Sequence, residues 1–385
     1  MDNDLLEYGF WALTLVVVYV YAGYPLIAGA LASLRRRRPI PILRACPRVS
    51  LLFCVHNEAE VLEEKLRNCL ALEYPKDRLE ILAASDGSDD GSAEMLEQYR
   101  RRGLIRANIQ KERTGKSVLL NRTVSLASGE ILVFTDASTL LRPDALVRHA
   151  RHYADETVGC VGGDLEFLNT SRSGVSAGHG LYWRYESWIR RNESDLGILA
   201  YVPGANYSLR RSVWKEIPAD FADDCVSPLN VVAARRRVLY DPEIVAQEVA
   251  TETPSGLLAR RIRMVTRDLE ATLKHRFLLN PFRYGGVSFS LASHKLLRWF
   301  VPVALPLLFV LSCALIRQPV YLAAALLQAT FYTLAALGLF SGGRLRSPFL
   351  SVPLYFCVSN LGALIGLVNV LMGRHIGRWQ PVGAR

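Results

Sequence analysis

Short runs of carboxylate and amide side chains punctuate the first two thirds of the chain. They are His56-Asn57-Glu58, Ser85-Asp86-Gly87-Ser88-Asp89-Asp90, Asp136-Ala137-Ser138 and the acidic pair Asp223-Asp224. Such groups can hydrogen-bond a base or ribose, hold a divalent cation, or take a proton from an attacking hydroxyl. Basic residues stand among them: Lys116 after Gly115, and Arg260, Arg261, Arg263 and Arg267 further on. A lysine offers phosphate a point charge, and an arginine offers a planar fork. Each residue alone has a plainer reading. Asp86 and Asp90 suit a turn and a helix cap, and Asp223 suits a cap for a helix over 226–236. The chain has no GxGxxG, and Gln110 stands where a P-loop ending in Gly115-Lys116-Ser117 would need its first glycine. The seven His include no pair at metal spacing, and the seven Cys include no CxxC. Neither a zinc site nor a disulfide framework is expected, and a reduced cytosolic domain fits.

The elements around these clusters follow from the apolar pattern. Val49–Val55, Leu79–Ala84 and Ile131–Thr135 are short apolar runs of the kind that form buried strands. Between them Glu58–Leu72, Ser88–Arg102 and Thr114–Ala127 carry helical spacing, the second opened by Ser and Asp caps. Strand–helix alternation with short connections predicts an α/β domain on a mostly parallel sheet. The polar clusters then fall at the carboxyl ends of strands, where such sheets bind ligands. Clusters at successive strand ends point together to a nucleotide site.

Composition adds a membrane. Half of the residues are hydrophobic, mean hydropathy is +0.15 and 21% are charged, which excludes a disordered chain and a disulfide-rich mini-protein. Phe10–Leu34, Trp299–Ile316, Gln318–Gly343 and Ser347–Gly373 carry no charge. About 20 apolar residues cross a bilayer as a helix, so one N-terminal and about three C-terminal spans are expected. The first run is too long, and too acidic in front, for a signal peptide. The second is short and holds Pro302 and Pro306, which leaves a re-entrant segment as the alternative. Arg35–Arg38 follows the first span and places the intervening domain in the cytosol, against a plasma or inner membrane. Arg374, Arg378 and Arg385 in the tail pull the other way. The expected organisation is a transmembrane helix over 1–34, a cytosolic domain over 35–287, an interfacial helix over 288–298, transmembrane helices over 299–373 and a basic tail over 374–385. The helix after Ser255 sets Leu258, Ile262, Val265 and Leu269 against an arginine face, which a membrane-surface helix would also do. Nucleic acid is not an expected partner.

The ordered blocks resemble a membrane-embedded family-2 glycosyltransferase of the GT-A fold. Val49–Glu58 matches the family's opening strand and Asn-Glu, and SDGSDDGS at Ser85–Ser92 matches its DDGSTDGS-like loop. GKSVLLNRTVSLASGE at Gly115–Glu130 matches its GKxxALNxAxxxAxGE block, and Asp136-Ala137-Ser138 its DxD. Pro203-Gly204-Ala205-Asn206, Asp223-Asp224 and the RRIRM of Arg260–Met264 follow in the family's order, the last in place of QxxRW. The resemblance implies that Asn57, Glu58 and Asp86 hold a uridine and that Lys116 and Arg263 sit by the diphosphate. It implies that Asp136 faces the ribose and a Mg²⁺ or Mn²⁺, and that Asp224 is the general base. The expected ligands are a UDP-sugar donor, a saccharide or lipid-linked saccharide acceptor, and membrane lipids. A processive synthase and a non-catalytic nucleotide-sugar-binding partner stay open as alternatives. Two departures matter: Ser138 removes a carboxylate from the metal site, and Met264 replaces the family's aromatic acceptor platform.

Overall fold

A computed structural model describes residues 3–36, 39–40, 42–43, 45–344 and 347–374. Arg37 and Arg38 of the four-Arg cluster, and the tail beyond Arg374, lie outside the described residues. The first span is two helices, α1 (Asn3–Val18) and α2 (Tyr24–Ser33), joined by a π turn over Tyr19–Gly23. Arg35 then donates to the carbonyl of Leu196 in the domain.

The domain is built on one eight-stranded sheet in the order β3-β2-β1-β4-β7-β6-β8-β5. In chain order the strands are β1 (Val49–Val55), β2 (Leu79–Asp86), β3 (Arg106–Gln110), β4 (Ile131–Thr135), β5 (Leu140–Leu141), β6 (Val158–Phe167), β7 (Asn206–Arg210) and β8 (Arg237–Glu248). The half from β3 to β4 is parallel, and β7 runs antiparallel to both β4 and β6. β1 lies between β2 and β4 with every residue buried, so both of its faces need apolar side chains. Leu51 and Phe53 pack on the face covered by α3 (Ala59–Leu70) and α4 (Ser92–Arg101). Leu52 and Cys54 pack on the opposite face, against α5 (Lys116–Ser125). The sheet is thus sandwiched, as alternation in the sequence requires.

Three further helices complete the domain's edges: α6 (Ala145–His152), the 23-residue α7 (Gly174–Leu196) and α8 (Asp223–Ala233). α7 opens with a capping box in which Ser173 and Ser176 satisfy each other's backbone amides. Then come α9 (Pro254–Lys274) and two short helices, α10 (Pro281–Tyr284) and α11 (Gly286–Ser290).

The stretch 288–298, expected as a separate interfacial helix, is continuous with the second span. α11, a π turn over Leu291–Leu296 and α12 (Leu297–Ala314) form one helical run, with Pro302 and Pro306 inside it. α13 (Pro319–Phe340) and α14 (Pro348–Leu371) follow. Four helices are long and apolar enough to cross a membrane: Asp4–Ser33, Gly286–Ala314, Pro319–Phe340 and Pro348–Leu371. α9 does not lie on lipid with its whole apolar face. It packs against α14, where a Cβ on Gly362 would come within 2.6 Å of the Arg261 Cβ and one on Gly366 within 3.1 Å of the Val265 Cβ. The small residues one turn apart let the backbones approach closely, as in membrane helix pairs.

Candidate active site

The carboxyl ends of β1, β2 and β4 open onto one cleft, closed on the far side by the starts of α5 and α8 and one face of α9. The first strand end is pinned to the second. Asn57, held at a φ of 53°, donates its amide to Asp89 Oδ1 at 2.7 Å and accepts from the Asp89 amide at 3.0 Å. Asp90 ties two helix starts together: Oδ2 accepts from Ala59 at 2.8 Å and Oδ1 from Ser92 at 3.0 Å. That is the cap the sequence suggests for Asp90, although α4 itself begins later, behind Gly91.

Asp86 is 2% exposed and faces the next loop. Its Oδ1 accepts from the Thr114 amide at 2.7 Å, and its Oδ2 accepts from the Gly115 amide at 2.9 Å. Both oxygens therefore fix the backbone that launches α5. Gly115 takes a φ of 94°, which a side chain would resist, and Lys116 follows as the first helical residue. Lys116 Nζ stands 2.8 Å from Asp136 Oδ1 and 3.6 Å from Asp223 Oδ1. Burial opposes the ammonium, but Asp136 and Asp223 outweigh it and hold Lys116 well above its ordinary value. In turn burial would raise Asp136, and the Lys116 charge and hydrogen bond bring it down instead.

The acidic pair divides its work. The N-cap of α8 is Ala222, so Asp223 is the first helical residue rather than the cap expected of it. Asp223 Oδ2 accepts the Tyr207 hydroxyl at 2.6 Å. Among the described residues, Asp224 makes one hydrogen-bond contact, 3.7 Å from the Cys225 thiol. Burial, then the Asp223 charge, push Asp224 up to about 7, with Lys116 offsetting part of this. A carboxylate of that basicity suits proton removal near neutral pH. Gly204 explains how it fits: a Cβ there would lie 2.1 Å from Asp224 Oδ2.

Glu58 is the second perturbed carboxyl. Burial, then the Asp136 charge, push it up to about 8, and its Oε2 is buried without a partner. Arg263, expected at the diphosphate, makes no hydrogen bond or ion pair among the described residues, and burial and the like charges of Arg267 and Arg260 lower its pKa. Arg260 is the arginine whose charge reaches Asp136, and it also pairs with Glu248 at 3.5 Å.

Other residues were not read from the sequence. Lys65 is fully buried beneath the β4 end, donating to Thr135 Oγ1 at 2.9 Å and to the Thr139 carbonyl, so it fixes the loop that carries Asp136. Asp268 on α9 accepts the Cys225 thiol at 2.8 Å and adds to the charge around Asp224. A lysine in an amphipathic helix reads as solvated, and a contact between residues 225 and 268 leaves no local signal.

A divalent cation has a partial seat. Asp136 Oδ2 makes no hydrogen bond among the described residues, and Glu58 Oε2 is orphaned nearby. Among the described residues no group of three or more His, Cys, Asp and Glu could hold an ion unaided. Mg²⁺ or Mn²⁺ fits only with ligand oxygens and waters completing its shell.

The sequence profile described as Glycosyltransferase like family 2 matches residues 47–267, more than half of the chain. The chain belongs to glycosyltransferase family 2. This family-2 glycosyltransferase is 25% identical over 303 residues to a probable glycosyltransferase, YdaM, of Bacillus subtilis, a match covering 74% of the chain and 70% of the relative. It is 26% identical over 237 residues to a poly-beta-1,6-N-acetyl-D-glucosamine synthase of Staphylococcus aureus, covering 60% of the chain. The chain spans 56% of that synthase's length. Among solved structures, the mannosyltransferase PcManGT from Pyrobaculum calidifontis, in complex with GDP-Man and Mn²⁺, aligns over 96% of this chain and 100% of its own. Its TM-score is 0.76 at 24% identity, which shows a shared fold, the GT-A fold.

Proposed function

We propose that this glycosyltransferase moves a sugar from a UDP-sugar, with inversion, onto a saccharide or lipid-linked saccharide at the cytosolic face of a plasma or inner membrane. The observation that carries this is the pairing across one cleft of a half-buried basic carboxylate, Asp224, with the Lys116–Asp136 pair. The acceptor hydroxyl attacks the anomeric carbon, and Asp224 takes its proton as the new bond forms. The glycosidic bond to the nucleoside diphosphate breaks with its electrons on the leaving phosphate. Lys116 and Arg260 lie where they offset that charge. A bound Mg²⁺ or Mn²⁺ would neutralise the diphosphate, held by Asp136. Asp86 and Asn57 act by fixing the strand-end loops, and the neutral Glu58 carboxyl can donate a hydrogen bond to the nucleoside.

The test is purified full-length protein in detergent with a panel of UDP-sugars, GDP-mannose as a contrast, and release of the nucleoside diphosphate as readout. Turnover with a UDP-sugar that stops in excess EDTA supports both donor and metal. Nucleotide-sugar binding without release in any combination would favour a binding partner instead. Full activity in EDTA, with a silent Asp136→Ala, would mean that the site works without a metal.

A further inference from the structure

A second cavity begins where Asp268 leaves off. It measures about 120 Å³ and lies between α7, α9, α14 and the helical run that becomes α12. A water needs only about 10–15 Å³ of such space, so a larger group fits. Two of its lining residues, Tyr21 and Lys295, come from the two π turns. Such turns are frequent at functional sites.

The lining is cationic. Arg190, Arg260, Arg261, Lys295 and Arg298 face it, against only Glu186 and Asp268. Glu186 is already engaged by Arg298, and by Arg190 at 3.4 Å. Asp268 lies 3.8 Å from Lys295. Among the described residues Arg261 has no carboxylate partner. It is held by aromatic rings, with its guanidinium 4.3 Å from the Tyr182 centroid and bonded to the Tyr355 hydroxyl at 2.6 Å.

Within this lining several buried polar atoms have nothing to bind. Among the described residues Arg190 Nη1, Arg298 Nη2, His179 Nδ1 and Ser359 Oγ are all without a hydrogen-bond partner. Guanidinium nitrogens can only donate, and a buried unpaired donor is costly to keep. The two guanidinium nitrogens are donors only, and on a surplus of positive charge they call for an anion, to which the His179 and Ser359 atoms can also donate. The apolar flank of the same cavity, with Trp299, Val265 and Ala363, abuts the membrane helices. At the other end Asp268 bonds Cys225, the neighbour of Asp224.

We propose that this cavity seats the phosphate or diphosphate of a lipid-linked acceptor, so that the natural acceptor is an anionic lipid-linked phosphate and not a free polysaccharide. The lipid tail leaves along the apolar flank at Trp299, away from the tight α9–α14 contact, and the acceptor hydroxyl reaches Asp224. This rests on the transfer reading above, but its test is binding alone.

The probe is a short-chain polyprenyl phosphate, compared with its parent alcohol, titrated into full-length protein and followed by tryptophan fluorescence. Phosphate should bind at least tenfold tighter than alcohol, since a charged hydrogen bond is worth roughly 1.5–3 kcal/mol. Arg298→Gln and Arg261→Gln should each erase most of that preference, while UDP still raises the melting temperature as in the parent. Ser359→Asp, which brings a negative charge without removing a cation, should do the same if an arginine variant does not fold. Equal binding of alcohol and phosphate would overturn the proposal. So would full competition by phosphatidylglycerol vesicles, which would make a bulk lipid headgroup the occupant. Loss of nucleotide-sugar turnover with every acceptor, with the phosphate preference intact, would sink the transfer reading and leave this site standing.

Discussion

The donor half and the acceptor half of the cleft treat their polar groups in opposite ways. On the donor side most of the loop-fixing side chains are already spent on the protein, with Glu58, whose Oε2 has no partner among the described residues, as the exception. Asp86 holds the 114–115 backbone, Asp90 holds two helix starts, and Asn57 is clamped to Asp89. On the acceptor side Asp224 is raised towards neutrality, and a cavity behind it holds unpaired guanidinium nitrogens. A satisfied network is rigid before the ligand arrives, so it can present Lys116 and Asp136 at fixed positions. An unsatisfied one stores a cost that a ligand or a proton relieves. The half that must be pre-organised is therefore the quiet one, and the half that must react is the strained one.

The sharpest way to break this contrast is Asp224→Asn. The amide keeps size and position but cannot accept a proton. Transfer should fall by roughly 10²–10⁴, the usual worth of a general base. Donor binding, which belongs to the other half, should be unchanged. A variant that loses both in parallel would show that the halves are not separable; unchanged transfer would remove Asp224 from the role.

Gly204→Ala tests the same carboxylate without touching it. The new Cβ would stand 2.1 Å from Asp224 Oδ2 and 2.8 Å from its Cβ, so the start of α8 must shift together with the carboxylate. A misplacement of about 1 Å can cost roughly a hundredfold in rate. We expect that loss in turnover with KM for the donor little altered. The paired donor-side change, Asn57→Ala, should instead raise donor KM, because it frees the 57–89 clamp. Reversed kinetic signatures would invert the assignment of the two halves.

The third expectation concerns pH. Asp224 stands at about 7 in the folded chain against an ordinary 3.8. The folded state therefore binds this proton more tightly than the unfolded state. Its contribution favours folding at low pH and is lost as pH rises from about 4 to about 7. Rate should behave oppositely, falling about tenfold per unit below pH 7 because the base must be ionised. In Asp224→Asn the melting temperature should thus gain on the parent above pH 7 and converge with it near pH 4. A gain that is flat across pH would mean that the carboxylate carries no such shift.

Much of the donor half was legible in the sequence because it depends on local pattern. Val49–Val55 and Ile131–Thr135 are legible to the residue, since strands buried on both faces show as unbroken apolar runs. Arg106–Gln110 was missed: RANIQ has no apolar alternation, and the strand exists through its backbone pairing with β2. Helix starts were placed too early at Ser88 and Thr114, because those residues serve the loops that cross between strand ends. The acceptor half was harder. Asp224 came from the order of motifs, but its neighbours Gly204, Cys225 and Asp268 meet it only through tertiary contact. Arg260 and Arg263 could not be separated by counting, because both lie on one face of α9 and only packing against Glu248 decides which one turns inward. The second span read as short because Lys295 and Arg298 interrupt the apolar run, while the helix continues through them.

The smallest expected effect lies at Met264, on the face of α9 that would meet an acceptor under the proposed function. Its side chain is 41% exposed and lines the cavity with Arg260, Arg261 and Asp268. A thioether chain packs softly and has no flat face for a sugar ring, whereas an aromatic ring has one. Each sugar added should therefore be held loosely, and the products made by the lone protein should be short. Met264→Trp restores a platform without altering a charge or a hydrogen bond of either half. Stacking of this kind is worth about 0.5–1.5 kcal/mol beyond buried area, which is roughly a two- to tenfold gain in acceptor affinity. Turnover with a saturating acceptor should change little, and the mean product length should rise by a residue or two if extension repeats at all. Sizing of labelled products at early times decides it. Long chains from the unaltered protein, while most acceptor stays unextended, would mean that the loosely furnished half already grips its product. The contrast between a rigid donor side and a yielding acceptor side would then fail where it is weakest.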